Sequence, residues 1–506
     1  MPYLLRAWPY DAALGAVRLL PFSDTGFTSE PGDSLPNTYF VRRIETPLSA
    51  KRSLFAGTAI GGYSETSFGR ATLANDDGAL DGLAELEWDG RRVEILHTAK
   101  QRPTLADFGV LFSGAAEQLV LGDEIAIELR DLLVLLDVPA SRGQFGGTGG
   151  IDGTSELKGR EKPWLIGRRR QIEPVLIDAA RNVYMIDPAG FSALLAARDM
   201  GVVYGGGVND YASHAALIAA TVPATGIATA KAAGLIRLGQ KPAGRFTVDA
   251  EGVTVGGSWI YRFADLVRHL VIAMTTLTAA DLDAASFTAF NALQPAVLGY
   301  WCDGANVPQV RAAIDELAES VGAYWGFGEN RLLGLGRYDG PAASADFTFD
   351  ERHIIELTPR AVERRMKTLK LGYRPFAATI TDADLAQVNV TAADREALPN
   401  EYRWTSVGTH AGAAAASLLA REEEVKTLFD LEAAAVAERD RRLALYGAKV
   451  KAFEVVVPLT LGLEVGHTVR LTDARYGLAA GWRGLVLETE RDALAEEHKL
   501  TVIGHG

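Results

Sequence analysis

Apolar and polar residues alternate through the first part of the chain. Val93 and Ile95 alternate with Glu94, leading to Leu96 and His97, and Ile125, Ile127 and Leu129 alternate with Ala126, Glu128 and Arg130. A period of two over such lengths predicts strands with one buried face. Between these runs lie three Asp-Gly steps, Asp77-Gly78, Asp81-Gly82 and Asp89-Gly90. Asp-Gly suits tight turns because glycine accepts a positive φ, so the series predicts turns punctuating short antiparallel strands. Further turn signals stand at Pro31-Gly32-Asp33 and Gly61-Gly62, at barrel or sandwich spacing.

The pattern then loses its regularity. Arg142 to Gly153 reads R-G-Q-F-G-G-T-G-G-I-D-G, an extended loop between domains. Residues 205 to about 300, rich in Ala, Gly and Thr, predict a mixed and partly irregular region. From Asn306 a helical spacing returns. Asn306 can cap, Pro308 is tolerated in a first turn, Val310, Ile314, Leu317 and Val321 share one face, and Gly322 stops the helix. Strands are predicted over 323–327 and 332–335, around Gly328-Glu329-Asn330.

A long helix is predicted over 411–446, with Val425, Phe429, Val436, Leu443 and Tyr446 near one seam. Glu432 and Arg439 interrupt that seam, which favours packing on a sheet over a coiled coil. Four strands close the chain: Phe453 to Leu461, Thr468 to Thr472, Gly484 to Glu490 and Lys499 to Ile503. They predict a small closed or half-closed barrel. The fold class is therefore mainly β with α+β insertions. The expected domains are 1–140 (β), 141–300 (glycine-rich connection and mixed), 301–365 (helix plus hairpin) and 366–506 (β, with the helix 411–446).

Composition narrows the function classes. The 506 residues exceed one core, and about three or four domains is the expectation from length. A net charge of −13 argues against a dedicated nucleic-acid binder, which would carry a basic domain. The one cysteine, Cys302, allows no disulfide framework and reads as a buried core thiol. The amino terminus lacks a basic start followed by an apolar run, and no apolar run reaches the roughly 18 residues of a membrane span. Cytoplasmic synthesis and a soluble product are expected.

Candidate chemistry is sparse. The histidines 97, 214, 269, 353, 410, 467, 498 and 505 include no pair at helical ligand spacing, and neither H-E-x-x-H nor G-x-S-x-G occurs. The glycine-rich segment lacks a following Gly-Lys-Ser/Thr, and Asp152 stands where a dinucleotide fingerprint needs its third glycine. Asn75, Asp76, Asp77 and Asp81 form the best metal candidate. However, the sixth and twelfth positions counted from Asn75 are Leu80 and Leu86, where an EF-hand needs Gly and Glu, so structural turns are favoured. Lys158, Arg160, Lys162, Arg168, Arg169 and Arg170 make a basic cluster, read as a solvated or intersubunit face. No catalytic, cofactor-binding or metal residue is assigned. Carboxylate pairs for glycan hydrolysis remain open, since 64 acidic residues allow many pairings.

Several stretches resemble one family. They are L-A-N-D-D-G-A-L-D-G-L with E-W-D-G-R-R-V-E-I-L, L-D-V-P-A-S-R-G-Q-F-G-G-T-G-G-I-D-G with L-K-G-R-E-K-P, S-V-G-A-Y-W-G-F-G-E-N-R-L-L, and L-E-V-G-H-T-V-R-L-T-D-A-R-Y-G-L. The chain resembles tail hub proteins of long-tailed, siphovirus-like bacteriophages and related gene transfer particles. The resemblance covers most of the chain and is weakest from about 205 to 300.

It implies two tail-tube-like β-barrel hub domains with smaller peripheral domains. Three copies would form a ring that adapts a sixfold tail tube to a threefold tip and encloses a channel for DNA and tape-measure protein. It also implies a virion location at the tail tip, and distal tail, tape-measure and tip fibre or spike proteins as partners. DNA would be met only in transit, past an acidic inner surface. Some relatives carry cysteine-bound iron–sulfur clusters or lysozyme domains. A single cysteine cannot build the former, and no lysozyme-like signature occurs. The rival readings are a tail-associated cell-wall glycan hydrolase and a host-carbohydrate-binding adhesion module.

Overall fold

Strand accounts for 39% of the chain and helix for 19%, so the protein is mainly β. The computed structural model describes residues 2–55, 62–63, 65–66, 69–205, 208–328 and 330–506. Gly61 and Glu329, each part of a predicted turn, lie outside the described residues.

The amino-terminal strands form one sheet whose path runs Ile44–Ser53, Gly69–Ala74, Glu124–Arg130, Gly109–Val120, Arg92–His97, Tyr3–Ala7, Leu20–Ser23, Tyr39–Arg42 and Phe27–Thr28. Ile44 and Leu48, near one end of this path, share a core with Leu20 and Phe22 near the other. The sheet is therefore rolled about its own apolar face. Among the described residues no ladder closes it into a barrel.

In Glu124–Arg130 the predicted inward residues Ile125, Ile127 and Leu129 are buried together and Glu128 and Arg130 are half-buried, but Ala126 is buried as well. The alternation fails in Arg92–His97, which is covered on both faces. Val93 and Ile95 enter the main core, while Leu96 packs with Leu4, Phe40, Leu105 and Phe108 on the reverse side. Glu94 tolerates this burial because Arg6 Nη2 lies 2.6 Å from its Oε2 and Arg92 pairs with it as well.

The Asp-Gly series does not make hairpins. Gly69–Ala74 and Arg92–His97 are not neighbours in the sheet, so the intervening loop is a crossover containing the 3-10 turn Asp81–Glu85. Gly78 and Gly90 adopt positive φ, as their turns require, and Gly82 does not.

The carboxy-terminal strands Glu356–Arg360, Val450–Pro458, Glu497–His505 and Trp482–Asp492 form a second antiparallel run. Thr468–Leu471 and then Phe347–Phe349 continue it beyond Trp482–Asp492. Phe453, Val455, Val469, Leu471, Trp482, Val486, Leu500 and Val502 fill its concave side. This curled sheet is open, with no closing ladder among the described residues. Sheet membership crosses residue 365, since Phe347–Phe349 and Glu356–Arg360 pair with strands beyond 450.

In the sequence between Arg130 and Phe347 stand two five-stranded sheets and four of the α-helices. The region 205–300 is more regular than its sequence suggests. It contributes Val208–Asp210, Ile227–Ala230, Leu235–Leu238 and Phe246–Glu251, with helices His214–Ala219, Phe263–Met274 and Ala284–Leu293. Ile227–Ala230 is buried at every position, so no alternation betrays it.

The helix Val310–Val321 forms as predicted and ends at Gly322 in the left-handed conformation. Gln309, not Asn306, occupies its N-cap position. The hairpin that follows, Ala323–Phe327 with Leu333–Arg337, takes a third, parallel strand at Gly62–Tyr63.

The helix predicted over 411–446 is a correction. The segment is a short helix Ala411–Ala416, a strand Arg421–Lys426 and a helix Glu432–Gly447. The R-E-E-E-V-K strand pairs in parallel with Met366–Tyr373, and tertiary pairing there overrides the helix propensity of Glu and Lys. Phe429 therefore precedes the second helix, yet it meets Leu443 in the largest core. As expected from its interrupted seam, Glu432–Gly447 packs on a sheet, against Met366–Tyr373.

Candidate functional site: the seam between the two β units

One strand belongs to both β units. Along one edge of Trp482–Asp492 runs Glu497–His505. Along the other, Leu471 to Thr468 pairs with Trp482 to Leu485, and Ser53 to Ser49 pairs with Glu488 to Asp492. The change of partner falls at Leu487, where the ladder to Glu497–His505 shifts register, and a bulge of this kind bends a strand. The Leu54 N–H donates to the Leu487 carbonyl at 2.7 Å, which extends the join by one bond. The amino- and carboxy-terminal β units are thus one hydrogen-bonded body, 16 strands in all among the described residues.

Side chains reinforce the seam. Arg491 donates to the carbonyls of Leu111 and Leu463, each at 2.7 Å, so one guanidinium ties both units. Arg52 Nη1 meets Glu464 at 3.2 Å, and its other nitrogen reaches the Phe327 carbonyl. Lys51 Nζ lies 3.5 Å from Glu488. His498, on the adjacent strand, is fully buried. Burial first, and the nearby Arg491 charge second, push its pKa down to about 3.

Two comparisons of the chain itself found no match, neither to a family model nor to a curated protein. Whole-structure comparison found tail proteins. A tail protein from Neisseria meningitidis MC58 is 9% identical, with a TM-score of 0.37, over 99% of this chain and 96% of that one. The 43 kDa tail protein of prophage MuSo2 from Shewanella oneidensis is 9% identical, with a TM-score of 0.36, over 100% and 98%. A chain from the virion of a native gene transfer agent particle is 14% identical, with a TM-score of 0.39, over 69% and 85%.

Arg168 and Arg170 of the basic cluster are not freely solvated, which corrects that part of the sequence reading. Arg168 Nη1 and Arg170 Nε reach the two oxygens of Asp430 at 3.0 and 2.9 Å. Arg168 also pairs with Glu251 at 2.5 Å. Asp249 joins Arg170 at 3.4 Å and Arg198 at 2.9 Å. Burial works to raise the pKa of Asp430, but the bonds from Arg170 and Arg168 prevail and hold it below the usual range. Arg160 donates to the Asp303 carbonyl and Lys162 pairs with Asp152; Lys158 is exposed. Sequence reasoning missed these carboxylates because they lie far from the arginines along the chain.

A second stitch centres on Glu438, whose side chain is 1% exposed. Arg441 Nη2 and Arg442 Nε share its Oε1 at 2.6 and 2.7 Å. Arg442 also donates to the carbonyls of Glu319 and Ser320, near the C-terminal end of the helix Val310–Val321, where a cation is favoured.

The aspartate-rich turn closes on itself. Asn75 donates to Asp81 and to the Gly122 carbonyl and accepts from Leu80 N–H, while Asp77 is paired with Arg43. That Arg43 hydrogen bond, aided by the Ala79 N–H, holds Asp77 down to about 2. Among the described residues no three His, Cys, Asp or Glu side chains gather as a metal site.

The glycine-rich loop folds around Asp152. The Gly147 N–H donates to its carbonyl at 3.0 Å, and a Cβ at Gly146 would lie 2.2 Å from its carboxylate. Phe145 anchors the loop in the core formed by Val175, Ile177, Val183 and Met185. Cys302 is buried as expected, and burial raises its thiol pKa. Among the described residues no helix is long and apolar enough to cross a membrane.

Proposed function

We propose that the chain is a structural, non-enzymatic hub of a bacteriophage tail tip or baseplate, acting as a homotrimer. One observation carries the reading. Two rolled β units, one from each end of the chain, are locked edge to edge through Ser49–Ser53 and Glu488–Asp492. Three such chains present six units, which matches the sixfold-to-threefold adaptation implied by the family resemblance. A shared ladder also resists relative rotation of the two units, as a channel wall requires.

The partners in this reading are the distal tail, tape-measure and tip fibre or spike proteins, with DNA in transit during ejection. Arg168 and Arg170 are engaged by Asp430, Asp249 and Glu251, which fits an inner surface that does not grip DNA. Native mass measurement and negative-stain microscopy of the purified protein test the proposal. A three-chain ring is expected, and a persistent monomer at micromolar concentration overturns it. Zymography on bacterial cell wall is expected to give no clearing, whereas clearing would favour the hydrolase reading.

A further inference from the structure

Residues 360–365, R-A-V-E-R-R, carry the chain from one sheet to another. Arg360 is the last residue of its strand to pair with Val450–Pro458, and Met366 opens the strand Met366–Tyr373 of a separate sheet. The connection borders a cavity of about 570 Å³, within the size range of small-molecule sites. Tyr338, Tyr446, Val450, Leu487 and Ile503 supply its apolar lining, and Val362 in the connection is 41% exposed.

Charge around this hollow is one-sided. Five cations line it against two carboxylates. Both carboxylates are engaged, Glu363 by Arg421 at 2.9 Å and Glu488 by Arg360 at 3.4 Å. That leaves Arg364, Arg365 and Lys449, whose side chains have no ion pair or hydrogen bond among the described residues. Three unneutralised cations around one apolar hollow run against the chain's net charge of −13. Long basic side chains can lie along an apolar wall and keep their charged ends at the water boundary, so the two kinds of lining are compatible.

We infer that this cavity binds a small amphipathic anion, an acyl or aryl body that ends in a carboxylate or an equivalent anionic head. The body would displace water from the apolar lining, which is the favourable step. The head would meet Arg364, Arg365 and Lys449 and accept charge-assisted hydrogen bonds from them. A peptide strand is a poorer fit. Adding a strand needs an open sheet edge, yet Ala452 and Ile503 pair with each other and each has a second main-chain partner on its other side. Thr501 is likewise paired on both sides. Along these residues the cavity meets a sheet face, so it offers side chains and no free ladder. The hub proposal does not require this site, and the site does not require a ring.

The test titrates the full-length chain by calorimetry with three probes, each below its aggregation concentration. Decanoate has both body and anionic head, acetate has the head alone, and decyltrimethylammonium has a similar body with a cationic head. Decanoate should saturate at one molecule per chain, and acetate should give no measurable heat. Decyltrimethylammonium should bind at least about tenfold more weakly than decanoate. Arg364→Glu with Lys449→Glu alters two exposed positions and should reverse the preference between the two amphiphiles. Ala452→Phe puts a ring into the cavity and should weaken decanoate binding by about tenfold or more, with the circular dichroism spectrum unchanged.

No decanoate binding, or equal binding of the two amphiphiles to wild type, overturns the inference, since an unselective apolar surface takes both alike. Decanoate affinity that is unchanged by the charge reversal overturns it too. Should Ala452→Phe fail to fold, the charge reversal still decides. None of these outcomes bears on ring formation, so the trimeric hub stands or falls on its own measurement.

Discussion

The seam and the middle of the molecule join distant segments by different physics. At the seam the partners are main-chain groups, Ser49–Ser53 against Glu488–Asp492, so the join is largely independent of which side chains stand there. In the middle the partners are buried carboxylates, Asp430 and Glu438, each holding two arginines. A ladder spreads its strength over many bonds and tolerates single substitutions. A buried ion cluster concentrates its consequences in one residue, because removing one partner strands the other charge away from water.

The largest expected effect follows from that difference. Asp430→Ala leaves Arg168 and Arg170 without their shared acceptor and should cost about 3–5 kcal/mol of stability, read by urea unfolding. A loss below about 1 kcal/mol would mean that the arginines find other acceptors, and the contrast with the seam would fail. At the seam, Arg491→Ala deprives the Leu111 and Leu463 carbonyls of their donor. It should cost about 1–3 kcal/mol, with the ladder still holding the two units together. Separate melting transitions for the two β units in that variant would show the side chain, not the main chain, to be the join.

Acidity sharpens the comparison, because the two regions respond with opposite sign. The folded pKa of His498 at the seam is about 3, far below an ordinary imidazole. Between about pH 3 and 6.5 the unfolded chain then binds the extra proton, so stability falls as pH falls through that window. In the middle, burial raises Asp315 to about 7, and Trp325 Nε1 donates to it at 2.8 Å. There the folded chain holds the extra proton, and stability is lost as pH rises from about 4 to 7. His498→Leu and Asp315→Asn should each flatten one side of the stability–pH curve. Parallel changes in both variants would contradict this assignment.

The smallest effect is expected at the aspartate-rich turn. Asp77→Asn breaks an exposed pair with Arg43, and its melting temperature should match that of wild type with or without added calcium. A calcium-dependent rise in wild type, lost in the variant, would turn the turn into a metal site.

Much of the local structure was legible. Val310, Ile314, Leu317 and Val321 repeat at helical spacing, and Gly322 ends the helix where the spacing stops. Strands were foreseen at Ala323–Phe327, Thr468–Leu471 and Trp482–Asp492, within a few residues at each end. Arg421–Lys426 was not, because four consecutive charged residues read as a helix until Met366–Tyr373 supplies a parallel partner. The candidate site was less legible than the fold. The arginines at 168 and 170 stand out in the chain, but nothing near them points to Asp430.

The order of side chains alone determined the helix that ends at Gly322 and the strands whose faces alternate, that Cys302 has no partner within the chain, and that aspartates and glycines carry the turns. Periodicity and turn chemistry act over a few residues, so they are written locally. The tertiary structure alone decided that the two ends of the chain share a strand, that no ladder among the described residues closes either rolled sheet, and that Arg168 and Arg170 meet Asp430. Those outcomes depend on contacts between residues remote in sequence, where backbone pairing and charge burial outweigh local preference.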